Sequence, residues 1–115
     1  MRRFPSVKKN SDFHKIYDMG NSQANGHFVM YIYENGLQHN RIGISASKKI
    51  GNSVIRHTMV RKVRELFRIN NQNAKQGYDI IVVVRKKACF SSFQVLEKSY
   101  LDLLNRHHMI TERNL

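Results

Sequence analysis

Only one cysteine occurs in the chain, acidic residues are scarce and no apolar run is long. Cys89 has no partner for an internal disulfide and no base beside it in sequence, so it reads as a small packed hydrophobe. The longest apolar run, residues 80–84, is far short of the ~20 residues a membrane-spanning helix needs. Met1-Arg2-Arg3-Phe4-Pro5 has no apolar stretch behind it, so no secretory signal is expected and the chain is placed in the cytoplasm. The six histidines show no metal spacing, and there is neither an HExxH pattern nor a cysteine pair. No protein metal ligand is therefore assigned. Phosphate-cradling glycine motifs and the nucleophile elbow GxSxG are also missing. No histidine pair or carboxylate pair resembles a nuclease centre, so no catalytic side chain is assigned.

What is present is positive charge. Twenty Lys and Arg face eight Asp and Glu among 115 residues, a formal net charge of +12. A surface this basic seeks a polyanion, and without an apolar anchor that means nucleic acid rather than membrane. Hydrophobic residues make up 41%, enough for a folded core. A chain of this length buries roughly 65% of its unfolded surface, which suits one domain over residues 1–115, ordered over about 5–108.

Asn10 or Ser11 is expected to cap a first helix running to residue 19, with Phe13, Ile16 and Tyr17 on one face. Polar residues 21–26 read as a loop. Residues 27–34 alternate as a strand, with Phe28, Met30 and Ile32 opposed to Val29, Tyr31 and Tyr33. A turn at Asn35-Gly36 leads to a second strand, 41–47. One face of that strand is Ile42, Ile44 and Ala46, and the other is Arg41, Gly43, Ser45 and Ser47. Asn52 or Ser53 caps the longest helix, which runs to about residue 70. Residues 78–85 read as a strand buried on both sides, because 80–84 is continuous and β-branched. A last helix starts near Ser91 or Ser92, with Ser91 and Gln94 at capping-box spacing, and the tail after Met109 is expected to fray. The order predicts a compact α+β sandwich of about four mixed strands and three helices. The helices should gather on one sheet face, with one strand–helix–strand crossover.

Residues 41–68 hold eight basic residues and one acid, Glu65. On the central helix Ile55, Met59, Val63 and Leu66 form an apolar stripe, while His57, Arg61, Arg64 and Arg68 share another side. A solvated helix face normally mixes charge signs, and this one does not. A ridge of guanidinium groups suits a phosphate backbone.

The run Arg41-Ile42-Gly43-Ile44-Ser45-Ala46-Ser47-Lys48-Lys49-Ile50-Gly51-Asn52-Ser53-Val54-Ile55-Arg56 resembles the protein subunit of bacterial ribonuclease P. The likeness continues through Arg61, Arg64 and Glu65. It also covers Asp12-Phe13, Tyr17, Ala24-Asn25, the strand from Phe28 and Tyr78-Asp79, about residues 5–108 in all. His57, Thr58, Val60 and Gly26 depart from the family pattern.

The resemblance implies a protein that assists a catalytic RNA in removing the 5′ leader from precursor tRNA. The protein would then be part of an endoribonuclease holoenzyme, with Mg²⁺ supplied through the RNA and no protein-only cofactor. Lys48, Lys49, Asn52, Arg56, His57, Arg61, Lys62, Arg64 and Arg68 would face the RNA subunit. Phe13, Tyr17, Asn25, Tyr31, Arg41, Ser45 and Ser47 would line a leader cleft between the first helix and the sheet, where aromatic faces can stack unpaired bases. The family fold further implies a left-handed crossover, against the usual rule. Neither DNA nor a membrane is an expected partner. The alternative reading is a ribosomal or general RNA-binding protein with no role in cleavage. A helix-turn-helix DNA regulator fits poorly, since a strand and a Lys-Lys turn precede the basic helix.

Overall fold

The computed structural model describes residues 5–111. Along the chain, α1 (Asn10–Met19) is followed by β1 (Asn21–Ala24), β2 (Phe28–Glu34) and β3 (Arg41–Ser45). Then come α2 (Ser53–Asn70), β4 (Tyr78–Val84) and α3 (Phe93–Arg106). The four strands form one sheet in the order β1-β2-β4-β3. Both β1–β2 and β2–β4 pair antiparallel, whereas β3 and β4 pair parallel across the α2 crossover.

Alternation along the strands sorts the side chains onto two faces. Phe28, Met30, Ile32, Ile42, Ile80, Val82 and Val84 pack with Met59, Val63, Leu66 and Phe67 of α2 and with Leu96, Tyr100, Leu103 and Leu104 of α3. Ile81, Tyr31, Tyr33 and Val83 face the other way and pack with Val7, Phe13, Ile16 and Tyr17. Helices α2 and α3 therefore share a sheet face as expected, but α1 lies on the opposite one. The reason is β4, whose continuous apolar run is buried on both faces and needs cover on each.

Several local expectations are corrected. Residues 21–24 form edge strand β1, all exposed. A strand that is polar on both faces carries no hydrophobic alternation to read, and only its pairing with β2 defines it. Lys9 occupies the α1 N-cap without a side-chain bond, one residue before the expected caps. Strand β3 ends at Ser45 rather than 47. Ser47 instead starts a 3-10 turn, Lys48–Ile50, accepting a bond from the Lys49 N–H. The α3 cap is Ser92, which accepts from the Val95 N–H, while the Ser91 hydroxyl donates to the Lys87 carbonyl. No Ser91–Gln94 capping box forms. In the described part of the tail, Met109 is buried, Ile110 bridges to Ala74, and the Thr111 N–H donates to the Asn73 carbonyl at 2.9 Å. Residues 112–115 lie outside the described residues.

Candidate RNA interface

Helix α2 is built to carry charge on one side. The Asn52 side-chain oxygen accepts from the Ile55 N–H at 3.0 Å and starts the helix. Met59, Val63, Leu66 and Phe67 are buried, which fixes its rotation against the sheet. Ile55 was expected on that stripe but is 38% exposed. It belongs to the first turn and packs over Gly51, where a Cβ would stand 2.9 Å from Ile55 Cδ1.

With the stripe turned inward, Arg56, His57, Arg61 and Arg64 line a cavity of about 390 Å³ with Ile44, Ala46 and Val60. No acid lines it. Arg56 Nε is buried and has no hydrogen-bond partner among the described residues. A buried N–H donor left unpaired is costly, and a phosphate oxygen would satisfy it. His57 and Arg61 also border a shallower hollow on the outer side with Ser53, Val54 and Thr58. The Thr58 hydroxyl donates to the Val54 carbonyl, so it stays on the helix backbone.

Other expected RNA-facing residues are placed differently. Arg68 holds a two-point pair with Glu65, at 2.9 and 2.5 Å. That bond lowers the Glu65 pKa and raises that of Arg68, and it is exposed, so the pair is worth little in stability. Lys62 is half-buried and does not line the arginine cavity. Lys48 and Lys49 stand exposed on the 3-10 turn before the helix.

The α1 face of the sheet holds the aromatic cleft. Tyr17 and Tyr31 meet edge to face with centroids 4.9 Å apart, and Phe13 lies 6.2 Å from Tyr17. The row across the sheet beneath them is Tyr31, Ile81 and Gly43. A Cβ on Gly43 would stand 2.9 Å from Phe13 Cζ and 2.5 Å from Ile81 Cδ1, so only glycine lets Phe13 lie over β3. Ser45 follows Gly43 on this face, and Arg41 precedes it. Arg41 is held: its Nε donates to Asp79 Oδ1 at 2.7 Å and a second guanidinium N–H donates to Oδ2 at 2.6 Å. Asn35 gives the same carboxylate a third bond at 2.9 Å. The bonds to Asp79 raise the Arg41 pKa. Sequence reasoning passed over Asp79, although a lone acid opening the apolar run 78–84 was a signal for a buried partner.

Asn25 lies apart from this cleft. Its oxygen accepts from the His27 and Phe28 N–H groups, and its amide donates to the Ser99 carbonyl and to Asp102. It organises the β1–β2 turn against α3. Gly26, in the same turn, leaves room for a cation from elsewhere: a Cβ there would be 3.5 Å from Lys87 Nζ. Ser47 also leaves the cleft, committed to capping its 3-10 turn.

Cleft and ridge are joined. A groove of about 330 Å³ runs from Phe13 and Gly43 around edge strand β3, past Ile44 and Val60, to Arg64. Those last three residues also line the arginine cavity. Where β3 passes Ile42, the chain segment at 5–7 covers its edge: the Val7 N–H donates to the Ile42 carbonyl and the Ile42 N–H to the Pro5 carbonyl.

Among the described residues no group of three or more His, Cys, Asp or Glu converges to hold a metal. Asp79, Glu65 and Asp102 are each tied to an arginine. Among the described residues no helix is long and apolar enough to cross a membrane.

Fold and site together define a small basic α+β protein with an arginine-lined cavity beside an aromatic cleft. The family model for Ribonuclease P matches residues 1–108. A ribonuclease P protein component from Alkaliphilus oremlandii is 42% identical over 110 residues, 96% of each chain. One from Caldanaerobacter subterraneus is 40% identical over 111 residues, again 96% of each. Among solved structures, the Staphylococcus aureus ribonuclease P protein superposes with a TM-score of 0.86 at 35% identity, covering 95% of this chain and all of the other. The Thermotoga maritima protein gives 0.82 at 33% identity, covering 88% and 96%. The chain belongs to the bacterial ribonuclease P protein family. It is thus the protein part of an endoribonuclease holoenzyme acting in tRNA 5′ maturation.

Proposed function

We propose that the chain acts as one RNA-binding domain that holds two RNAs at once. The arginine cavity of α2, with Lys48 and Lys49, grips phosphates of the catalytic RNA subunit. Phe13, Tyr17 and Tyr31 stack unpaired bases of the precursor tRNA leader, with Ser45 and the held Arg41 beside them. Cleavage and its Mg²⁺ belong to the RNA, in the cytoplasm. The protein supplies charge and position, and neither DNA nor a membrane takes part.

The observation that carries this reading is the groove around β3. It links an aromatic cleft suited to single strands with an arginine cavity whose buried Nε lacks a partner. Tyr17→Ala or Tyr31→Ala is expected to weaken binding of leader-bearing precursor by about 1–3 kcal/mol, the worth of one stacked base. Mature tRNA, which has no leader, should bind as before. Parallel titrations of both ligands check this, and equal losses for the two would overturn the leader cleft.

A further inference from the structure

Phe90 is 81% exposed, while every other described aromatic residue is buried or half-buried. It ends the 3-10 turn Lys86–Phe90 between β4 and α3. That turn is firmly seated. Its N–H groups and flanks close on the chain through Ala88 N–H to the Arg85 carbonyl and Ser91 N–H to the Ala88 carbonyl. Ala88 is fully buried and shares the core with Ile50, and Cys89 Sγ lies 3.8 Å from the Ile50 carbonyl oxygen. The turn therefore packs against the Lys48–Ile50 turn ahead of α2.

The junction is apolar and cationic together. Val54 at 72% and Ile55 at 38% exposure lie on the first turn of α2 beside it. Lys48, Lys49, Lys86 and Lys87 are exposed on the two 3-10 turns, and neither turn nor the first turn of α2 contains an acid. The Lys87 ammonium leans toward Gly26, so the flanking charges nearest in the chain are Lys86 on one turn and Lys48 and Lys49 on the other. A single exposed apolar residue is ordinary on a protein surface. An outward ring on a seated turn, with exposed lysines on it and on the turn it packs against, is the combination that binds single-stranded RNA, with bases on the ring and phosphates on the cations. A protein-binding core would instead be depleted in lysine.

We propose that Phe90 is a stacking platform for an unpaired base of RNA, its neighbouring phosphates held by Lys48, Lys49 and Lys86. This rests on the reading that the start of α2 meets the catalytic RNA. It adds a contact outside both the arginine cavity and the leader cleft.

The chain contains no tryptophan, so Phe90→Trp places a single reporter at the site. Its emission should be quenched, saturably, by the catalytic RNA subunit and not by a perfect RNA duplex. Quenching by leader-bearing precursor alone would assign the stacked base to the substrate instead. Phe90→Ala should weaken binding of the RNA subunit about 10-fold, and Phe90→Tyr should restore it. No charge is removed, so the salt dependence should stay as in the parent chain, with coincident thermal melts as the folding control. Equal quenching by duplex, or unchanged binding in Phe90→Ala, overturns the platform. Arg64→Ala in the same titrations separates the two readings. If its salt slope falls while Phe90→Ala binds normally, only the platform fails. If neither variant differs from the parent, the RNA-facing assignment fails with it.

Discussion

Replacing Arg56, Arg61 and Arg64 together by Gln is expected to weaken assembly with the catalytic RNA on the order of 100-fold near physiological salt. The three side chains line one cavity that has no acid in it, and one of them holds a buried N–H with no protein partner. Each phosphate neutralised releases counterions, so three lost contacts should shrink the slope of log affinity against log salt by about 2–3. Glutamine keeps most of the aliphatic stem that packs near Ile44 and Val60 while removing the charge. None of the three lies on the buried stripe of α2, so thermal melts should change little. Binding across a salt series checks both numbers. An unchanged slope, or a melting temperature lowered by many degrees, would show the arginines to be structural.

Asp79→Ala should cost about 3 kcal/mol of stability, the low end for breaking a buried ion pair. Asp79 is 3% exposed and accepts three bonds, two from Arg41 and one from Asn35. Its loss strands a guanidinium whose side chain is only 27% exposed, and that partial access to water keeps the cost at the low end. The melting temperature should fall on the order of 10 °C. Replacing both partners, as Arg41→Met with Asp79→Leu, should recover much of the loss, because the penalty lies in the unpaired charge. Denaturant titration of the two variants decides it. Equal destabilisation of single and double variants would count against that origin.

Much of this was legible because it is local. The Asn52 cap and the spacing of Met59, Val63 and Leu66 place α2, and the unbroken run in β4 requires a central strand covered on both sides. The expected cleft aromatics Phe13, Tyr17 and Tyr31 do come together across α1 and β2. What escaped depends on contacts distant in sequence or on which partner a polar side chain takes. Strand β1 exists only through its pairing with β2, and α1 takes the second sheet face because β4 needs cover there. Arg41 and Arg68 both count among the eight basic residues of 41–68. Asp79, 38 residues away, and Glu65, three residues away, give them different surroundings. Asn25 and Ser47 belong to a motif, yet their side chains bond to their own turns. The fold uses those polar groups before any RNA arrives.

The most direct test is reconstitution with precursor tRNA at low Mg²⁺. Protein freed of RNA by nuclease treatment should cleave nothing, and the catalytic RNA alone should be slow, because its packed phosphates lack screening cations. Together they should remove the 5′ leader efficiently, since the protein brings a net charge of +12 to the RNA. Robust cleavage by the RNA-free protein, or no gain when it is added to the RNA, would contradict the account.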